Sequence, residues 1–223
     1  MGIGNEDLKL LLKYRQQFPN GKKCAVLGNC TFYGFENASK EEFKKLMNFD
    51  EVHTFDINGT PDYKLDLQEP LNEKFNNYYD WVLDVGTLYC CFDVVSVWKN
   101  VLNMLNETGC IWHQTNLVGH FGRGFWALSP SLFNEFYLSN KFEIIELNYL
   151  FKSGKNKELW QKIPSNCNYI NNCDGQTLTF SSNNSTFRTG INNDSSLSCF
   201  VKRIQVVPFT KPIPEHYIKT NGI

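Results

Sequence analysis

The chain has 223 residues, with 22 Lys plus Arg against 23 Asp plus Glu and a formal net charge of −1. That balance excludes a protein held to nucleic acid by overall charge, because such binding needs clustered basic residues. At 42% hydrophobic and 15% aromatic residues the composition is globular, and the length suits a single α/β domain with a full core.

Asn5 is read as the cap of a first helix carrying Leu8, Leu11, Leu12 and Phe18 on one face, broken by Pro19-Asn20-Gly21. Residues 23–28 (KCAVLG) read as a buried strand. Ser39 with Glu42 makes a capping box for a helix whose stripe is Phe43, Leu46 and Met47. Residues 49–57 (FDEVHTFDI) are a second strand ending at Asp56, and Asn58-Gly59-Thr60-Pro61 is a turn. Residues 79–84 (YDWVLD) are the central strand, bounded by Asp84 and Gly86. Val94, Val97, Trp98, Val101, Leu102 and Leu105 then recur at steps of three and four, the stripe of an amphipathic helix. Glu107-Thr108-Gly109 is read as its end, with Gly109 in the positive φ of a helix C-terminus. Cys110 opens a fifth strand that reaches Thr115. Strand, helix and strand in so few residues imply a right-handed crossover and a parallel sheet.

Beyond the fifth strand, residues 116–124 (NLVGHFGRG) are too Gly-rich to be regular. Ser129 caps a helix with Pro130 at its first position and Leu132, Phe133, Phe136 and Tyr137 as the buried face. Residues 142–147 (FEIIEL) form a sixth strand, and 151–195 read as an Asn/Ser/Gly-rich insertion containing a hairpin. Residues 197–207 are the last strand, and 208–223 an extended, Pro-containing tail. No apolar run approaches the ~20 residues of a membrane span. The start, MGIGNEDLKLLLKYRQQ, has no apolar h-region, so a cytoplasmic chain is expected. The eight cysteines contain no Cys-x-x-Cys pair. They read as small hydrophobes of a reduced compartment, and no metal site is expected.

The alternation of strands and helices implies a Rossmann-like, doubly wound, mostly parallel sheet in three α/β/α layers, with an antiparallel last strand. Such sheets bind ligands at the carboxyl ends of their strands. Gly28, Asp56, Asp84 and Gly86 fall there. An Asp inside a stretch as apolar as 79–88 must be paired or face a cleft. His113, within the fifth strand, reads as structural. His120 and Arg123 sit on the Gly-rich loop, where histidines more often act. His120 is the candidate general base, and Arg123 the candidate holder of an anionic substrate group. The glycines at 119, 122 and 124, interleaved with Phe121, Phe125 and Trp126, suggest a lid over the acceptor.

YDWVLDVGTL, followed by a helix, a Gly turn and a strand, resembles the fourth and fifth strands of class I S-adenosylmethionine-dependent methyltransferases. The resemblance covers roughly residues 24–147. It implies S-adenosylmethionine as cofactor, with Gly28 at the first glycine of the family's loop and Asp56 on the ribose. By the same resemblance Asp66-Leu67 meets the adenine, and Asp84 and Gly86 lie near the methyl group. Two departures stand out. The loop Leu27-Gly28-Asn29-Cys30-Thr31-Phe32 keeps only the first glycine of Gly-x-Gly-x-Gly, and Tyr89-Cys90-Cys91 replaces the Glu-His that often follows Gly-Thr-Leu. The lysine-bearing last strand and the tail resemble bacterial polysaccharide methyltransferases, which implies a small-molecule or sugar acceptor. A nicotinamide-dependent oxidoreductase lacks its Gly-x-Gly-x-x-Gly loop here. A non-catalytic module with a decayed cofactor pocket is the other reading.

Overall fold

The computed structural model describes residues 2–35, 39–118, 122–153, 157–162, 169–170, 177–181, 186–190 and 195–214. The chain divides into two compact units, Met1–His113 and Gln114–Ile223.

In the first unit, helix α1 (Asn5–Gln17) leads to strand β1 (Lys23–Leu27), helix α2 (Lys40–Leu46) and strand β2 (Glu51–Asp56). A two-residue strand β3 (Tyr63–Lys64), the central strand β4 (Tyr79–Val85), helix α3 (Val94–Met104) and strand β5 (Leu105–Val118) follow, the last five residues of β5 belonging to the second unit. The sheet order β3-β2-β1-β4-β5 runs outward one way from β1 and then resumes on its other side, so the sheet is doubly wound. The pairings of β1 with β2, β1 with β4 and β2 with β3 are all parallel. Leu27 is in register with both Phe55 and Asp84, so β1, β2 and β4 end level. The order reverses between β1 and β4, the place where ligands bind in open sheets of this kind.

Local chemistry explains most of these elements. Ser39 accepts from the Glu42 N–H at the start of α2, and Asp93 from Ser96 at the start of α3. α3 buries Val97, Trp98 and Val101 of the stripe read from the sequence, and Met104 beside them; Val94 and Leu102 are half-buried, and Leu105 begins β5. Other details differ. Gly4 rather than Asn5 caps α1, with the Asp7 carboxylate accepting from the Gly4 N–H at 3.0 Å. Leu46 is exposed, and only Phe43 and Met47 of its stripe are buried. α3 ends at Met104, and Gly109 lies inside β5. A Cβ at Gly109 would come within 2.5 Å of the Leu105 side chain and 2.9 Å of the Asp80 carbonyl. That glycine therefore serves close strand packing, not a helix end.

At the amino edge of this sheet Arg15 is a hub. Its guanidinium donates to the carbonyls of Phe18, Asn20, Gly21 and Asn48 at 2.8–3.4 Å and lies 4.7 Å above the Phe49 ring. It joins the end of α1 to the turns before β1 and β2.

The second unit carries helix α4 (Pro130–Ser139) and strands β6 (Phe142–Ser153), β7 (Lys157–Lys162), β8 (Tyr169–Ile170), β9 (Thr177–Ser181), β10 (Thr186–Gly190) and β11 (Ser195–Arg203). Ser129 caps α4 and Pro130 opens it. β6 lies between β11 and β7, antiparallel to both, which places the antiparallel last strand where it was expected. The insertion is strand-rich: β7 extends the sheet, and β8, β9 and β10 form a separate antiparallel meander. The tail docks through Thr210, whose N–H donates to the Asn140 side chain and whose carbonyl accepts from it. Among the described residues no helix is long and apolar enough to cross a membrane.

Candidate functional site

The candidate site is the carboxyl edge of β1, β2 and β4, within the first unit. Gly28 leaves β1 with φ +94° and donates to the Phe55 carbonyl at 2.7 Å. A side chain in that conformation would be strained, which fixes glycine there. The next N–H, of Asn29, donates to Asp56 Oδ2 at 2.6 Å, and Asn58 N–H donates to Asp56 Oδ1 at 2.9 Å. The Asn29 side chain lies against Gly59, where a Cβ would meet it at 2.1 Å. Asp56 thus joins the loops after β1 and β2. Its half-buried carboxylate has lone pairs beyond these two bonds, enough to accept from a pair of hydroxyls.

Two of the glycines missing from the loop correspond to Cys30 and Phe32. Phe32 is buried and packs on Phe43 with ring centroids 4.9 Å apart. The loop is held from elsewhere: Ile3 N–H donates to the Thr31 carbonyl at 2.9 Å, and Gly34 N–H to the Ile3 carbonyl at 3.1 Å. The N-terminal residues therefore set the course of a loop that would otherwise depend on glycine. Sequence reasoning missed them, since three residues before a helix carry no periodicity.

Asp66 and Leu67 follow β3. Asp66 Oδ1 accepts from the Gln68 N–H at 2.9 Å, and Leu67 is buried. At the end of β4, Asp84 has no exposed surface. Its Oδ1 accepts from Thr87 N–H at 2.9 Å and Leu88 N–H at 3.1 Å, and its Oδ2 lies 2.8 Å from His113 Nδ1. His113 is also buried. Asp84 therefore spends its carboxylate on the turn at Gly86, which has φ +77°, and on β5. Of the two possibilities for an Asp in this apolar stretch, pairing is the one observed.

All three carboxylates act electrostatically on Cys91. Burial first, then Asp84, Cys90, Asp66 and Asp56, push the Cys91 thiol up to about 12. The Cys90 thiol is also raised, chiefly by burial, and feels Asp84 and Asp56. Side chains that follow or end β2, β3 and β4 thus act together on one thiol at this edge. Both thiols stay protonated near neutral pH and offer no nucleophile.

His120 lies outside the described residues. Arg123, Phe125 and Trp126 are exposed in the second unit, and beyond them Leu128 N–H donates to the carbonyl of Asn116, in β5, at 3.1 Å.

No family model matches the chain, and no curated protein does. Among solved structures, a candidate methyltransferase of Bacillus halodurans is similar at 13% identity. That match covers 88% of this chain and 98% of the other, with a TM-score of 0.51. An O-methyltransferase from a Brevibacillus brevis trans-AT polyketide synthase, in complex with S-adenosyl-L-homocysteine, is 12% identical over 64% of this chain and 53% of its own, with a TM-score of 0.46. The CMeT domain of the citrinin polyketide synthase is 9% identical over 51% of this chain and 35% of its own, with a TM-score of 0.40. The chain spans about half the length of the second and about a third of the third. The Bacillus halodurans match, nearly complete over both chains, is a likeness of fold.

Proposed function

We propose that this chain, which has the Rossmann-like fold of class I S-adenosylmethionine-dependent methyltransferases, binds S-adenosylmethionine at its carboxyl edge and methylates a small molecule or sugar. The observation that carries the reading is Asp56. Its carboxylate is oriented by two main-chain N–H groups and keeps lone pairs for a ribose diol. When bound, S-adenosylmethionine supplies an electrophilic methyl group on a sulfonium. Asp66 accepts from an exocyclic amine of the base, Leu67 packs against the ring, and Gly28 and Gly86 let the main chain approach the nucleoside. Asp84, buried on His113, positions the Gly86 turn. His120 takes the proton of the acceptor's attacking hydroxyl or amine, and Arg123 holds an anionic group of the acceptor. The chain's contribution to rate is alignment of acceptor and methyl group, worth ~7 kcal/mol or more in well-oriented systems.

Calorimetric titration with S-adenosylhomocysteine tests this. Asp56→Ala is expected to weaken binding by about 1.5–3 kcal/mol, the worth of a hydrogen bond to a charged group. A wild-type chain with no binding, or an Asp56→Ala variant with wild-type affinity, overturns the cofactor site. His120→Ala is expected to lower turnover while leaving S-adenosylhomocysteine affinity unchanged; full turnover in that variant removes the base.

Two observations favour a second reading, a binding protein without catalysis. Phe32 fills the core at a glycine position of the loop, and Tyr89-Cys90 stands where the family often has Glu-His. Tight S-adenosylhomocysteine binding with no methyl transfer to any hydroxyl- or amine-bearing acceptor would select it.

A further inference from the structure

Residues 66–69 have no strand or helix to hold them, yet they carry the acidic-apolar pair of the proposed nucleoside site. Two amide side chains clamp this segment onto α3. Gln68 reaches both ways: its Nε2 donates to Asp66 Oδ1 and Oδ2 at 3.2 and 3.4 Å, and its Oε1 accepts from the Asp93 N–H at 2.9 Å. Its orientation is set by chemistry. The Asp93 N–H can only donate and an ionised Asp66 can only accept, so the amide oxygen must face α3 and the NH2 must face Asp66. Asp93 is itself the cap of α3, accepting from Ser96 N–H at 3.0 Å and Ser96 Oγ at 2.7 Å.

The second clamp is Asn100, buried in α3, whose Nδ2 donates to the Leu67 and Glu69 carbonyls, both at 2.8 Å. Asn is a poor helix former, and a buried amide is costly without partners. Its place inside α3 is accounted for by these two bonds. Asp93 and Asn100 are seven residues apart, so they share one helix face about 10 Å apart. The segment is held to that face through residues 67, 68 and 69, and the Leu67 side chain is buried.

We propose that Gln68 and Asn100 are positioning residues for the nucleoside half of the ligand: Gln68 aims the Asp66 carboxylate and Asn100 fixes Leu67. This rests on the S-adenosylmethionine reading. Neither side chain touches the ligand; both act through residues 66 and 67.

Gln68→Glu separates this role from a merely structural one. The new carboxylate still accepts from Asp93 N–H but faces Asp66 without a donor. Two carboxylates this close do not both ionise readily, and one holds a proton to a raised pH. The charged groups nearby are Glu69 on the segment, Asp93 and Lys99 on α3, and Asp56 and Asp84, which act with Asp66 on Cys91. All but Lys99 are acidic and push the same way. At about pH 5.5 the shared proton restores the bridge, and at about pH 8 it is gone.

The experiment is S-adenosylhomocysteine calorimetry at both pH values, with thermal unfolding recorded alongside. Wild type is expected to bind within about twofold at the two pH values. Gln68→Glu is expected to match it at the lower and fall at least about tenfold at the higher, a shift of about one pKa unit's worth of affinity. Gln68→Glu binding like wild type at both pH values, or weakened equally at both, overturns the aiming role while wild-type binding stands. A wild-type chain that binds at neither pH overturns the cofactor reading and this role with it. Asn100→Asp, which keeps the shape but replaces the donor, is expected to weaken binding about tenfold at pH 8; a folded variant with wild-type affinity removes Asn100.

Discussion

The two ends of β4 carry one aspartate each, and they sit in opposite kinds of company. Asp80, at the amino end, is half-buried. Its Oδ2 accepts from Lys22 N–H at 2.6 Å and Lys23 N–H at 2.8 Å, and its Oδ1 from the Asn106 side chain. With Arg15 spending its guanidinium on four carbonyls, this edge uses its charges to staple main chain to main chain. At the carboxyl end Asp84 is used that way, and it is fully buried. Its neighbours Asp56 and Asp66 are held by main-chain N–H groups and the neutral Gln68 amide, and both remain half-buried. The same residue type closes one edge and leaves the other able to accept further bonds. A ligand site needs that difference, because a carboxylate whose lone pairs are all filled has nothing to offer.

The largest expected effect tests the one carboxylate that breaks the pattern. Asp84→Ala would remove one hydrogen-bond acceptor from buried His113 and from each of the Thr87 and Leu88 N–H groups, a loss of about 3–5 kcal/mol at about 1–3 kcal/mol for each buried group. For a chain of this length that lowers Tm by about 10 °C. A drop of only a degree or two would mean that water satisfies these groups and that Asp84 is not a structural anchor. Next comes Arg15→Met, which keeps an apolar stem over Phe49 but removes donors to four carbonyls. About 2–3 kcal/mol should be lost, with S-adenosylhomocysteine affinity unchanged in the folded protein. Asp56→Ala should do the reverse, losing affinity with little loss of Tm. If both variants lose both properties, the division between the edges fails.

The smallest effect concerns Asp62, on the turn between β2 and β3. Burial raises its carboxyl pKa. The hydrogen bond from Lys40 and those from Thr54 N–H and Oγ1 outweigh burial and hold it below the ordinary carboxylate value. A lowered folded pKa stabilises above the unfolded value of about 3.8 and is lost as pH falls through the folded one. With its side chain about a third exposed the contribution is screened to about 0.5 kcal/mol. Acid titration of unfolding should show this small loss below about pH 4, and Asp62→Asn should flatten it.

Local sequence signals determined the order of the four helices among β1, β2, β4, β5, β6 and β11, the Ser39 and Ser129 caps, most of the apolar face of α3 and the glycine turns after β1 and β4; β3 and the strands of the insertion were not legible there. Each of these depends on residues a few positions apart, whose spacing or φ preference acts before any tertiary contact forms. The position of Asp56 at a strand end was legible for the same reason. Contacts across the chain decided the rest. Whether Asp84 would face a cleft or a partner depended on His113, 29 residues away. Gly109 reads as a helix end until β5 is laid beside Asp80. Gln68 and Asn100 look like an ordinary loop amide and a weak helix residue, since the groups they bond lie 25 to 33 residues distant. A hydrogen bond's value depends on where its partner ends up and on the water excluded around it. Both are properties of the folded sheet, which no local stretch of the chain carries.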